Sequence, residues 1–188
     1  MIDASNPIIP GRSCGTCTLC CKVLSITELK KPQGVWCVHC KPGHGCKIYP
    51  DHPTECRNFY CGYLTQAELG TEWKPDRSKI VLVAELEGNR ITAYTDPQRP
   101  DAWRREPYYS ELKRWAEAAA PYRGQIVAAT GRHMYMILPN KDVDLGIIGD
   151  DDLIVTGERT TPFGVELDAF TIKKDDPRAQ NLAPQYWG

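Results

Sequence analysis

The chemistry available to this chain is concentrated in sulfur. Nine cysteines lie between Cys14 and Cys61, and none follows as far as Gly188. Cys-x-x-Cys is the spacing at which two thiolates can close on one ion, with the intervening backbone N–H groups turned toward the sulfurs. Two such knuckles overlap in Cys14, Cys17 and Cys20, and a third is Cys37-Val-His-Cys40. Pairing Cys14 and Cys17 with Cys37 and Cys40 leaves nineteen residues between the pairs, which is the spacing of a four-cysteine zinc ribbon. Cys17 and Cys20 paired with Cys37 and Cys40 satisfy it too, so spacing does not choose between them. Cys21, Cys46, Cys56 and Cys61 could then supply a second site.

An iron–sulfur run is the competing template. Cys14-x-x-Cys17-x-x-Cys20 has the three-ligand spacing of bacterial ferredoxins. The doubled Cys20-Cys21 departs from it, because adjacent side chains diverge in most backbone conformations and so suit two neighbouring metals better than one cuboidal cluster. A disulfide framework is disfavoured, since nine is odd and the N-terminus lacks the basic start and apolar core of a secretory signal. In a reducing compartment dense cysteines bind metal or do redox chemistry.

The ordered series of motifs resembles a known family. Cys14-x-x-Cys17-x-x-Cys20-Cys21, Cys37, Gly45-Cys46-Lys-Ile-Tyr49, Pro53-x-x-Cys56-Arg57-x-Phe59 and Cys61 look like the YkgJ-type cysteine-cluster proteins, over about residues 14–64. That family is described as a zinc- or iron-chelating domain. Trp36–Cys40 resembles its Trp-Cys-x-His-Cys variant, and His52 departs from it where an arginine is common. Flagellin lysine methylase carries a similar motif and is associated with an iron–sulfur cluster. The resemblance implies metal binding without implying one reaction.

Other candidates carry less. His39 and His44 sit among the cysteines and could replace one as ligand, although solvent-facing loop histidines fit a site so rich in sulfur better. His133 alternates with Tyr135 and Ile137 on a strand and reads as a hydrogen-bonded structural histidine; His52 also lies outside any ligand spacing. Asp150-Asp151-Asp152 lacks the alternating oxygen ligands and glycine of a calcium loop and reads as a solvated turn. Arg99, Arg104 and Arg105 read as an exposed basic loop. No Gly-rich phosphate loop, nucleophile elbow or His-Glu-x-x-His is present, so any catalysis would come from the metal.

Charge and composition narrow the partners. Net charge is -1 over 188 residues, which argues against nucleic acid or anionic membrane as a partner. Residues 1–75 hold 8 basic and 6 acidic side chains, a bias that lysines near anionic thiolates account for. No apolar run approaches the roughly 20 residues of a membrane helix, and the expected location is the cytoplasm.

The elements that must position these cysteines differ between two parts. Residues 1–75 form an irregular cysteine-rich module, too poor in periodic apolar runs to stay ordered without a metal. Ser25 with Glu28, and Thr65 with Glu68, predict two short helices ended by Pro32 and Gly70. Residues 76–188 predict hairpins 80–84/90–94 around Gly88-Asn89 and 125–129/133–138 around Gly131-Arg132. Short strands follow over 143–148, 153–156 and 165–170. Tyr108, Leu112, Trp115, Ala116 and Ala119 recur at helical spacing between Pro107 and Pro121. The expected fold is α+β: the metal-stapled module packed on a mostly antiparallel sheet with one main helix, the second part burying its apolar face without thiols. The expected function is chelation of zinc (or iron) by Cys14, Cys17, Cys20, Cys21, Cys37, Cys40, Cys46, Cys56 and Cys61, more than one ion per chain, in a structural, metal-handling or interaction role. The alternative is an iron–sulfur redox protein or cluster-assisted enzyme.

Overall fold

Strands with apolar residues at consecutive positions need cover on both faces, and Ile80-Val-Leu-Val and Gln125-Ile-Val-Ala-Ala are of this kind. A computed structural model describes residues 8–162 and 164–182 and shows what covers them. The central sheet has the order β3 (Ile80–Glu85), β4 (Arg90–Thr95), β5 (Gln125–Thr130), β6 (His133–Ile137) and β7 (Asp142–Ile147). Every pair is antiparallel except β4–β5. Parallel neighbours require a long crossover, and α5 (Tyr108–Ala119), the next α-helix after the one-turn α4 (Pro75–Ser78), supplies it.

On α5 the buried residues are Tyr108, Leu112 and Ala116, four apart and therefore on one stripe. They pack on one face of the sheet with Ile80, Leu82, Ile91, Ala93, Ile126, Ala128 and Ile137. The same core takes in Trp73, whose indole N–H donates to Glu111 Oε2 at 2.8 Å, and Leu69. Both come from the cysteine-bearing part of the chain, so the two parts share a core.

Alternate strand residues turn to the opposite face, and two pieces of structure cover it. Val81, Tyr94 and Ala129 pack against Leu19, Val23, Cys61 and Leu64 of the cysteine-rich part. Val127 and Met136 pack against Ile154 and Ala169 of a long hairpin, β8 (Asp152–Thr161) and β9 (Gly164–Lys173). Gln125, fully buried, donates its side-chain amide to the Ile154 carbonyl at 2.9 Å and pins that hairpin to the sheet.

The α+β class, the one main helix and the mostly antiparallel sheet agree with the patterning of the sequence. Both hairpin turns fall where glycine marks them, and Gly131 takes the left-handed φ of +56° that the β5–β6 turn requires. Three local details differ. Ser25 caps no helix: Thr27–Leu29 is a single 3-10 turn, closed by the reciprocal Ile26–Lys31 bridge, while the Glu28 carboxylate accepts from Glu55 N–H at 3.2 Å. Thr65 ends a helix instead of starting one, because α3 (Gly62–Thr65) begins after Cys61 and the carbonyls of Gln66, Ala67 and Leu69 are taken by Arg12. The last hairpin is longer than predicted at ten residues per strand; the outer part of β8, Glu158–Thr161, is polar and shows no apolar alternation.

Candidate metal centre

The cysteine-rich part is a chain of tight turns around α1 (Cys20–Val23), β1 (Cys40–Lys41), β2 (Gly45–Cys46), α2 (Thr54–Arg57) and α3. Hydrogen bonds within and between these turns place the cysteines. Cys17 N–H donates to the Cys14 carbonyl at 2.9 Å and Cys40 N–H to the Cys37 carbonyl at 3.0 Å, forming the two knuckles that Cys-x-x-Cys spacing predicts. Cys37 N–H donates to the Cys21 carbonyl at 3.0 Å and ties the second knuckle to α1. Cys46 stands opposite Cys40 across the β1–β2 ladder. Cys56 lies in α2, held against the Thr27–Leu29 turn by Thr27 N–H donating to Glu55 Oε2 at 2.8 Å. Cys61 precedes α3 and accepts the Leu64 N–H at 2.8 Å.

All nine cysteines line one cleft of about 660 Å³, floored by Leu24, Ile26, Leu64 and Val81. None is in a disulfide. His39, His44 and His52 also reach its wall; His52 is stacked on Tyr49 and bonded to the Pro50 carbonyl at 3.0 Å. Among the described residues no three His, Cys, Asp or Glu side chains stand close enough together to hold an ion without moving. The donors line a space; they do not yet surround a point. Thiols are donors for soft and borderline ions, so the donor set suits such a metal in kind.

Electrostatics fit a site completed by a cation. Burial pushes the Cys61, Cys40 and Cys56 thiols up to about 11. Cys14 and Cys17 are raised, also chiefly by burial. Cys20 is raised strongly, first by donating its S–H to Cys21. Receiving that bond, and a second from Cys40, brings Cys21 down to about 6 against the opposing effect of burial. A buried thiol gives up its proton when a metal replaces it, so loading this cleft would release protons. One cation is built in. Lys31 is buried, its Nζ donates to the Lys22 carbonyl at 2.9 Å and to the Leu24 carbonyl, and Cys37, Cys21, Cys20 and Cys56 surround it electrostatically.

Two more polar anchors escape a reading of the sequence. Arg12 donates to the carbonyls of Tyr63 at 2.5 Å, Gln66 at 2.7 Å and Leu69 at 2.7 Å, holding the Cys14 loop against α3. Lys22, one residue past Cys21, is buried and pairs with Asp96 at the end of β4, 2.6 Å away. Neither residue falls in a motif, and a lone arginine or lysine carries no sequence signal for its partner. The other sites behave as plain structure. His133 bonds Asp144 at 2.6 Å and stacks on Tyr135. Asp150 and Asp151 are exposed, and Asp152 pairs with Lys173 at 2.7 Å. Arg104 is not idle, since its guanidinium lies 4.0 Å over the Trp103 ring and pairs with Asp142 at 3.0 Å.

No family model, curated protein or solved structure matches this chain. No helix among the described residues is long and apolar enough to cross a membrane.

Proposed function

We propose that this protein chelates metal through its cysteine-lined cleft, holding zinc, more than one ion per chain, in a structural or metal-handling role in the reducing cytoplasm. The observation that carries this is the gathering of all nine cysteines, from turns spread over residues 14–61, onto one cleft. Thiolates are ligands for soft and borderline ions, and a region built of four-residue helices and two-residue strands has few regular hydrogen bonds of its own to hold its turns together. The likeness of its motif series to the cysteine-cluster family supports the same conclusion. When bound, zinc supplies closed tetrahedral links between turns. The chain's own contribution is to present the thiols, to hold the buried ones protonated until metal displaces their protons while Cys21 is already favoured as thiolate, and to offset the resulting anionic charge with Lys31.

Elemental analysis, acid-labile sulfide and an absorption spectrum on anaerobically purified protein test this. Colourless protein with more than one zinc per chain is the expected result. Stoichiometric iron with sulfide and visible charge-transfer absorbance would replace it with the iron–sulfur redox or catalytic alternative. Reduced, folded protein that takes up neither metal refutes both.

A further inference from the structure

The thiols of the cleft are not one pool. Cys17, Cys20 and Cys61 pack with Leu19, Val23 and Val81 against the sheet, while Cys21, Cys37, Cys40 and Cys56 pack with Ile26 and Leu29 in a separate cluster. The division runs between Cys20 and Cys21, whose side chains leave α1 about 100° apart, as adjacent helical residues must.

Backbone bonds assign the remaining two cysteines. Ile9 N–H donates to the Leu64 carbonyl at 2.8 Å and Arg12 grips the carbonyls of Tyr63 and Gln66, so the start of the chain runs beside α3. Cys14 therefore belongs with Cys61, whose thiol neighbours are Cys14 and Cys17. Cys46 belongs with Cys40, its partner across the β1–β2 ladder, and neighbours Cys56. Lys74 lies beside Cys14, and Lys31 sits at the junction of the two groups, beside Cys37, Cys21 and Cys56 of the second and Cys20 of the first. The groups adjoin, since Cys14 lies within electrostatic reach of Cys21.

We infer that the cleft comprises two metal compartments, one formed by Cys14, Cys17, Cys20 and Cys61 and the other by Cys21, Cys37, Cys40, Cys46 and Cys56, meeting at the Cys20–Cys21 pair; this rests on metal binding by the cleft. The division excludes both zinc-ribbon pairings that spacing allows, because the Cys37-x-x-Cys40 knuckle shares no ion with Cys14, Cys17 or Cys20. Four thiolates complete a closed tetrahedral site, so the first compartment has none to spare and the second has one in excess. Each set draws inward on loading, each protonated thiol exchanging its proton for the ion.

The asymmetry makes a test. In the reduced full-length chain loaded with zinc, native mass spectrometry under chelator competition is expected to show Cys61→Ser losing one of two ions. Cys56→Ser should lose none, and Cys37→Ser/Cys40→Ser should lose one. Because a variant can fail by misfolding, the wild-type chain is tested in parallel by cysteine-resolved alkylation during chelator titration. Cys14, Cys17, Cys20 and Cys61 should become reactive together, and the second set together at a different chelator concentration. Release of all ligands in one step, or co-release of Cys14 with Cys37, overturns the division while leaving metal binding intact. A reduced wild-type chain that binds no zinc, with all nine thiols reactive from the start, overturns the division because metal binding itself has failed.

Discussion

The Lys22–Asp96 pair is a buried ionic contact between the cysteine-rich part and the sheet. Nζ and Oδ1 are 2.6 Å apart, with the two side chains only 7% and 12% exposed. Both have further partners: Gln98 Oε1 accepts from Lys22 at 3.2 Å, the Lys22 ammonium lies 5.4 Å from the centre of the Trp36 ring, and Asp96 Oδ1 accepts from Gln98 N–H at 2.9 Å. An exposed pair is worth less than about 1 kcal/mol, whereas removing one partner of a buried pair costs about 3–5 kcal/mol, because the other charge is left in a low-dielectric site. Asp96→Ala and Lys22→Met are each expected to cost an amount in that range. For a chain of this size that is roughly 6–20 °C in melting temperature, at about 2–4 °C per kcal/mol. The double variant Lys22→Met/Asp96→Leu, which strands no charge, should cost less than either single one. Urea denaturation in reducing buffer at fixed zinc, followed by circular dichroism, measures all three. Single variants costing under about 1 kcal/mol, with the slope unchanged, would refute the buried-pair account.

The pH dependence has a definite sign. Burial alone would raise Asp96, but the hydrogen bonds from Lys22 and Gln98 outweigh it and hold the carboxyl below its ordinary value. Its contribution is therefore complete above the unfolded value of about 3.9 and is lost as pH falls below that toward the folded value. The stability gap between wild type and Asp96→Asn should narrow over that acid range and stay flat from about pH 5 to 7.

Three further outcomes are expected. Arg12→Ala should cost about 1.5–3 kcal/mol, the range of one charged hydrogen bond with water replacing the rest, and should raise the alkylation rate of Cys14 well before that of Cys40. A fragment of residues 76–188 omits Leu69 and Trp73, which are 3% and 1% exposed in the central core; at about 2–5 kcal/mol for each large apolar side chain lost, most of a domain's stability goes with them. That fragment should show no cooperative melting transition, whereas residues 62–188 should retain one. Chelation, or Cys37→Ser combined with Cys40→Ser, should open residues 14–61 to protease while the dichroism of the sheet persists; unchanged protection after complete metal removal would show that the module does not depend on its ions.

The sequence by itself determined the elements whose signals are local. Leu112 and Ala116 at helical spacing, glycine at the β5–β6 turn, and the unbroken apolar run over residues 80–84 follow from side-chain geometry within a few residues. The cysteine knuckles are local in the same sense, and their motif order is what made the nine cysteines a candidate site. Which thiol neighbours which was not legible, because 14–17 with 37–40 and 17–20 with 37–40 satisfy the same spacing. The contacts that bear on it appear only in the folded chain: Arg12 reaches across to Tyr63, and the Cys37 amide across to Cys21, over loops that no periodicity marks. The depth at which the two parts join was also decided by tertiary packing. Trp73 and Leu69 look like the end of an irregular module in one dimension, yet they complete the apolar face of α5, because an amphipathic helix buries its stripe with whatever apolar surface the chain brings beside it.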